Sequence, residues 1–499
     1  MRQARSLTAN VASSMYPAKM PSSIRWLCLP RRWLLWIATG LVLRLVFIYF
    51  PRPIDDDTWD YLQLGRNLLH HGVYGIGAGA DISPSLFRLP GYPIFLAVFE
   101  QFFARTWPET WLNAVFLAQT AADLGAGLLL AAFARRHRGP RAAEIALALA
   151  MLCPFTAVYA ATALTESLSV FAISLGVFAA SRAIAAEAAG GRDRWAVALA
   201  GCATGIAMLL RPDGVLLLAA IAAGLLFYVP RGHAGPGSAP PRLRRALAAA
   251  SLYAVIALLP LLPWTVRNWA RFHVFQPLAP RYINDPGDRV NRGFDRWMRT
   301  WSFEFVSTAN VFWAIGEDRI DLADLPPRAF DSPEQRQRTL ALIAEYNRDK
   351  EISASLDERF AALAAERIRA HPIRYYVALP LLRDADMLLR PRTEAFYLDV
   401  FWWRWSEHPG QTLCAIFLGL INLGYVAGAA WAFIRGRVPT AIMLGGYLIL
   451  RLLLLATIEN PEPRYTLECF PIFIVAAAAA LAERPVRNES FSPAMRQSD

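Results

Sequence analysis

Charged residues of this 499-residue chain gather where apolar runs end: Asp55-Asp56-Asp57, then Asp60, Arg88, Glu166, Arg211, Asp213, Arg267, Glu462 and Arg464. A carboxylate so placed can take a proton from an attacking hydroxyl. Arginine offers a planar fork that matches phosphate and steadies charge as it grows there. Acids and guanidinium groups converging on one membrane face suit an anionic lipid head group and a second substrate. The plainer alternative is a set of interfacial ion pairs that tie loops together.

The elements that must position these groups are membrane helices. Hydrophobic residues make up 55% of the chain and charged residues 18%, with a mean hydropathy of +0.30. Soluble domains carry about 45–50% apolar and about 25% charged residues. The chain therefore reads as an all-α polytopic membrane protein, and a disordered chain or a disulfide-stapled module is excluded. Five cysteines, Cys28, Cys153, Cys202, Cys414 and Cys469, form no CxxC pair and suggest neither a zinc site nor a disulfide framework. The net charge of +11 is almost all arginine, because Lys19 and Lys350 are the only lysines. These basic residues cluster between apolar segments, which argues for cytoplasmic loops and against nucleic acid.

About ten spans are expected: 33–50, 109–134, 141–160, 164–183, 195–210, 213–229, 245–263, 411–434, 438–457 and 466–482. The first reads as an uncleaved signal anchor behind a cytoplasmic tail, 1–32, and the chain ends in a second cytoplasmic tail, 483–499. Residues 33–263 form an N-terminal catalytic module that includes the external loop 51–108, in which 91–104 is too short to span and reads as a juxtamembrane helix. Residues 264–410 form a small α-rich or mixed external region with a helical stretch near 334–370. Its segment 371–390 is amphipathic, as a helix lying on the membrane would be, and spans 411–482 close the bundle. Basic loops inside put Arg211, Arg267 and Arg464 outside, against the usual bias, which makes them functional candidates. Arg44, Asp123 and Arg451 fall within spans and are expected to pair inside the bundle or snorkel.

The motifs in order resemble those of the GT-C membrane glycosyltransferases, more narrowly the protein O-mannosyltransferase and lipid A aminoarabinose transferase family. Asp57-x-x-Asp60-Tyr61 followed by Arg88-Leu-Pro-Gly-Tyr-Pro is similar to their first external loop. Thr165-Glu166-Ser167-Leu168 resembles the motif opening their fourth span, and Arg211-Pro212 resembles a turn in which Leu210 replaces the usual Thr. Pro263-Trp264-Thr265-Val266-Arg267-Asn268 matches a PWxxRN motif, and Pro463-Arg464-Tyr465 resembles the Arg-Tyr pair before the last span. The first acidic pair departs from the aminoarabinose enzymes, since Thr58 follows Asp57, and the insertion 272–410 matches no named subfamily.

The resemblance implies transfer of a sugar from a polyprenyl-phosphate carrier to an acceptor hydroxyl on a lipid, glycan or protein, at the outer face of a bacterial inner membrane. Phosphate leaves as a weak base, so one carboxylate suffices, unlike the two of glycoside hydrolysis. Asp57 is the first choice for the base and Asp60 the second. Arg267 leads for donor phosphate, followed by Arg211, Arg464 and Arg88, while Glu166, Tyr61 and Tyr465 line the substrate. No residue set is assigned to metal: His70-His71 are adjacent rather than at helical spacing, although some relatives use a divalent cation. A lipid-linked-sugar flippase is the competing reading, but it would gather polar groups near the midplane and show repeated halves.

Overall fold

The computed structural model describes residues 30–50, 56–232 and 242–482. Both expected tails lie almost wholly outside these residues, as do Asp55 and the side chain of Asp56. The chain is helical nearly throughout. Helix α1 is Arg31–Tyr49, α2 Asp56–His71, α3 Gly91–Phe103, α4 Trp111–Leu152, α5 Pro154–Ala160, α6 Glu166–Ala188 and α7 Arg194–Leu210. Then come α8 Val215–Tyr228, α9 Arg242–Leu258, α10 Leu261–Phe272, α11 Arg292–Met298, α12 Pro333–Asp349 and α13 Ala354–Ala370. The C-terminal part holds α14 Leu379–Leu389, α15 Pro409–Ile434, α16 Ala441–Leu455 and α17 Phe470–Leu481. A two-residue hairpin, β1 Gly75–Ile76 on β2 Ser83–Pro84, is a small departure from the all-α expectation.

Five described helical stretches are long and apolar enough to cross a membrane: α1, α4, α6, α15 and Pro463–Leu481. The pair α9 and α10, bent by 48°, makes up to six. Ten full-length spans are thus not reached, and the physical reasons are local. α4 consists of two helices meeting at a kink at Gly139 (φ 86°), a conformation glycine adopts readily, ahead of Pro140, so the break expected between 109–134 and 141–160 is present and α5 continues the second segment. The expected spans at 195–210, 213–229 and 438–457 are apolar helices over Arg194–Leu210, Pro212–Tyr228 and Ala441–Leu455, each somewhat short of crossing length.

Basic loops meet at one end of the bundle. Arg245 Nη1 donates to Gly190 O at 2.9 Å, and Arg138 donates to Arg437 O. The acids and arginines of interest sit at other helix ends: the start of α2, the start of α6, the end of α7 and the turn before α17. Two glycines bring the first external loop against the bundle. A Cβ on Gly65 would lie 2.7 Å from Pro93 O, and one on Gly91 2.6 Å from Leu209 O, so α2 packs on α3 and α3 abuts the end of α7.

The region expected to be external has its own core of Phe294, Trp297, Trp301, Tyr346 and Phe360. Its expected helix near 334–370 is two helices: Lys350 takes left-handed φ 54°, and Ser353 then caps α13 by accepting from Leu356 N at 3.1 Å. The segment 371–390 begins as a π-turn, Arg374–Ala378, and continues as α14 with Ile373, Tyr376, Val377, Leu381 and Leu382 exposed.

Candidate active site

Asp57, the second residue of α2, is held between two arginines from distant parts of the chain. Its Oδ1 accepts from Arg88 Nη2 at 2.5 Å and its Oδ2 from Arg464 Nη2 at 2.8 Å. Asp60, one helical turn on, accepts from the same Arg88 at 2.9 Å, and Arg464 Nε lies 2.8 Å from Glu462 Oε1. Burial alone would raise the Asp57 carboxyl, but the Arg464 and Arg88 guanidiniums overcome that and hold it down at about 2. Arg88 is in turn held charged well above its ordinary range by Asp57 and Asp60, against the cost of burial. The Arg88 guanidinium lies 5.4 Å from the Tyr61 ring, and Tyr61 packs edge-on against Tyr92 at 5.2 Å. Burial pushes the Tyr61 phenol up to about 12, so it stays a neutral donor.

A second set of charges continues from this one through Tyr465. The Tyr465 ring lies 5.5 Å from the Arg464 guanidinium and 5.9 Å from that of Arg211. Arg211 Nη1 donates to Glu166 Oε1 at 3.0 Å and to Thr165 Oγ1 at 3.2 Å. Its Nε lies 3.2 Å from Glu468 Oε1 and 3.5 Å from Asp213 Oδ1. Behind it Arg451 pairs with Asp213 at 3.0 Å and Glu468 at 2.6 Å, and also donates to Tyr465 O. Three buried acids thus surround two arginines. Glu468 Oε1 and Arg211 Nε are satisfied only by their mutual ion pair, and Glu166 Oε2 is buried without a hydrogen bond, which leaves that oxygen able to meet a ligand.

Most expected site residues therefore come together: Asp57, Asp60, Tyr61, Arg88, Glu166, Arg211, Arg464 and Tyr465 form one continuous cluster. Arg267, the leading phosphate candidate in the sequence, joins this cluster through Tyr74, whose hydroxyl donates to Arg88 O at 3.0 Å. Its Nη2 donates to Tyr74 O at 2.6 Å and its Nη1 to Ser85 O at 2.7 Å and Asn268 Oδ1 at 2.9 Å. Tyr74, Trp264 and Phe272 surround it, with ring centroids 5.4, 5.1 and 5.2 Å from the guanidinium. Arg267 ties the hairpin to α10 by donating to carbonyls on both of its arms, Tyr74 O, which also accepts from Ser85 N, and Ser85 O.

Three participants were not picked from the sequence. Glu468 lies inside an apolar stretch, where any acid is a signal. Arg451 was expected only to pair inside the bundle or snorkel, and it pairs. Glu394 carries no motif at all, yet burial pushes its carboxyl up to about 7 against the pull of Arg392, Arg390 and Arg464.

Among the described residues no three or more His, Cys, Asp or Glu side chains gather closely enough to hold a metal. His70 instead lies on the surface, with Nε2 3.8 Å from Glu100.

With this geometry in place, comparisons with known proteins can be set beside it. No family model and no curated relative matches the sequence. Among solved structures, the chain is similar to the oligosaccharyltransferase AglB from Archaeoglobus fulgidus in complex with an inhibitory peptide and a dolichol-phosphate. That likeness has 14% identity and a TM-score of 0.48, covering 90% of this chain and 50% of that one. It is also similar to ArnT from Cupriavidus metallidurans bound to undecaprenyl phosphate, at 15% identity and a TM-score of 0.38, covering 90% of this chain and 76% of that one. The chain spans about half the length of the oligosaccharyltransferase. Likenesses at these scores assign no residue a role, and the site stands on its own geometry.

Proposed function

We propose that this protein is a membrane glycosyltransferase that moves a sugar from a polyprenyl-phosphate donor to an acceptor hydroxyl at the outer face of a bacterial inner membrane. The observation that carries the reading is the Asp57 carboxylate shared between Arg88 and Arg464. Two guanidiniums converging from a loop and a helix end suit a phosphate, and the carboxylate fills that anion position in its absence. The motif resemblance to GT-C glycosyltransferases supplies the reaction class. The crossing-length helices and the basic loops gathered at the opposite end support the placement in a membrane.

In this reading the donor phosphate draws Arg88 and Arg464 away from Asp57. The bond between the anomeric carbon and phosphate oxygen breaks, and the oxygen keeps the electron pair. The acceptor oxygen bonds to that carbon from the opposite face, inverting it, and its proton passes to Asp57. A carboxylate held at about 2 is a poor base. Transfer of its two arginines to the phosphate raises its basicity, so the base works only with donor in place. Arg211 and Arg464 on either side of Tyr465 then steady the charge that develops on phosphate.

The test is Asp57→Asn in purified protein in lipid nanodiscs. Transfer should fall by about 10²–10⁴-fold, while polyprenyl phosphate should bind about tenfold tighter because its competing anion is gone. Equal transfer rates would remove the base assignment. Weaker phosphate binding would remove the displacement idea, and movement of the lipid across the bilayer without sugar transfer would favour a flippase.

A further inference from the structure

Glu394 sits on the connection between α14 and α15, a segment without any motif. Its neighbour Arg392 pins this segment to the turn that carries Arg464 and Tyr465. Arg392 Nη1 donates to Pro463 O at 2.7 Å, Nη2 to Thr466 Oγ1 at 2.5 Å and Nε to Asn422 Oδ1 at 3.1 Å. Its guanidinium also lies 4.8 Å from the Phe470 ring. The turn Glu394–Phe396 packs against α5 and against Pro463–Cys469. Arg392 is thus committed to carbonyl, hydroxyl and amide groups rather than to the acid two residues away.

The Glu394 carboxyl is left with both oxygens buried and neither hydrogen-bonded to another residue. The charged and titratable groups facing it are Arg390 and Arg392 on its own segment, Arg464 from the lead-in turn of the last helix, and Tyr159 from the α5 side. Tyr159 is in turn within electrostatic reach of Glu166, Glu462 and Arg464, which places Glu394 beside the cluster described above. A buried polar group without a partner costs about 1–3 kcal/mol, and more when charged. Such a group in a folded protein calls for an occupant that completes it.

We propose that Glu394 is a substrate-contacting residue, whose carboxyl accepts hydroxyl hydrogens from a sugar ring. The ring is the one carried by the donor or one on the acceptor, and the chemistry is the same for both. This contact rests on the transferase reading. Hydrogen bonds from hydroxyls favour the ionised carboxylate, so occupation of the site offsets the burial that holds the group near neutrality. Binding should then release a proton.

The experiment compares Glu394→Met and Glu394→Gln with wild type, as full chains in nanodiscs, by thermal unfolding and by transfer kinetics with donor and acceptor each titrated. Met replaces an unsatisfied acid by an apolar group of similar size, so the unfolding midpoint should rise by about 2–4 °C. The KM for the substrate that meets Glu394 should rise about 10–100-fold, and the substrate affected identifies the source of the ring. Gln should fall between Met and wild type. Wild-type KM for that substrate should also rise as pH falls below about 7, a dependence absent in Glu394→Gln. A lowered midpoint in Glu394→Met assigns the residue a structural role and overturns the contact. So does an unchanged KM for both substrates while wild type transfers normally, which leaves the transferase reading intact. A wild type that moves no sugar from polyprenyl-phosphate donors removes the transferase reading and this contact with it.

Discussion

Two buried charge clusters in this protein are built differently. Arg44 on α1 is fully buried and uses all five of its donors: two reach Asp123 Oδ2 at 2.7 and 2.5 Å, and the others reach Gly40 O, Met151 O and Ala150 O. This pair is complete, and it locks α1 onto the two sides of the α4 chain. The cluster around Arg211 and Arg451 is incomplete, with three acids to two arginines and Glu166 Oε2 buried without a hydrogen bond. Saturation of hydrogen bonding marks a joint, whereas unspent capacity marks a place for a ligand.

The sharpest way to break this comparison is Arg44→Met. It leaves Asp123 buried without its counter-charge and should cost about 3–5 kcal/mol of stability, measured by unfolding in detergent. Transfer per folded molecule should be unchanged. A large loss of transfer in folded protein would mean that complete and incomplete clusters are not distinct in role.

A smaller effect is expected from pH. The Asp57 carboxyl is held below its unfolded value of 3.8, at about 2. Its contribution is therefore fully present above pH 3.8 and lost as pH falls through about 2, amounting to at most about 2 kcal/mol. Wild type should lose more of its unfolding midpoint between pH 5 and pH 3 than Asp57→Asn does. Parallel curves would show that the two arginines do not hold that carboxylate in solution.

The smallest change is expected from Glu468→Gln. Removing one of three acids leaves two acids against two arginines, and Gln keeps an acceptor for Arg451. Stability should move by less than about 1 kcal/mol, well short of Arg44→Met. A loss as large as that of Arg44→Met would place Glu468 among the joints.

Much of this site was legible in the sequence because it lies at segment ends. Asp57 and Asp60 are three apart, and once α2 forms this spacing turns both toward one side, where the structure supplies Arg88 as the shared partner. Arg464 and Arg211 broke the charge bias of membrane loops, and that signal needs no coordinates. Arg267 broke the same bias and matched a motif, yet its guanidinium serves backbone carbonyls of a hairpin whose strands are too short to be seen in the sequence.

Composition and the period of apolar residues determined that this chain is a helical membrane protein with charges at helix ends, because the cost of exposing polar backbone to lipid acts on each segment separately. The joining of those charges was decided by tertiary structure alone. Glu394, Glu468 and Arg451 owe their roles to the neighbours that folding brings within a few ångströms, and electrostatic interaction depends on that distance and on burial rather than on position along the chain.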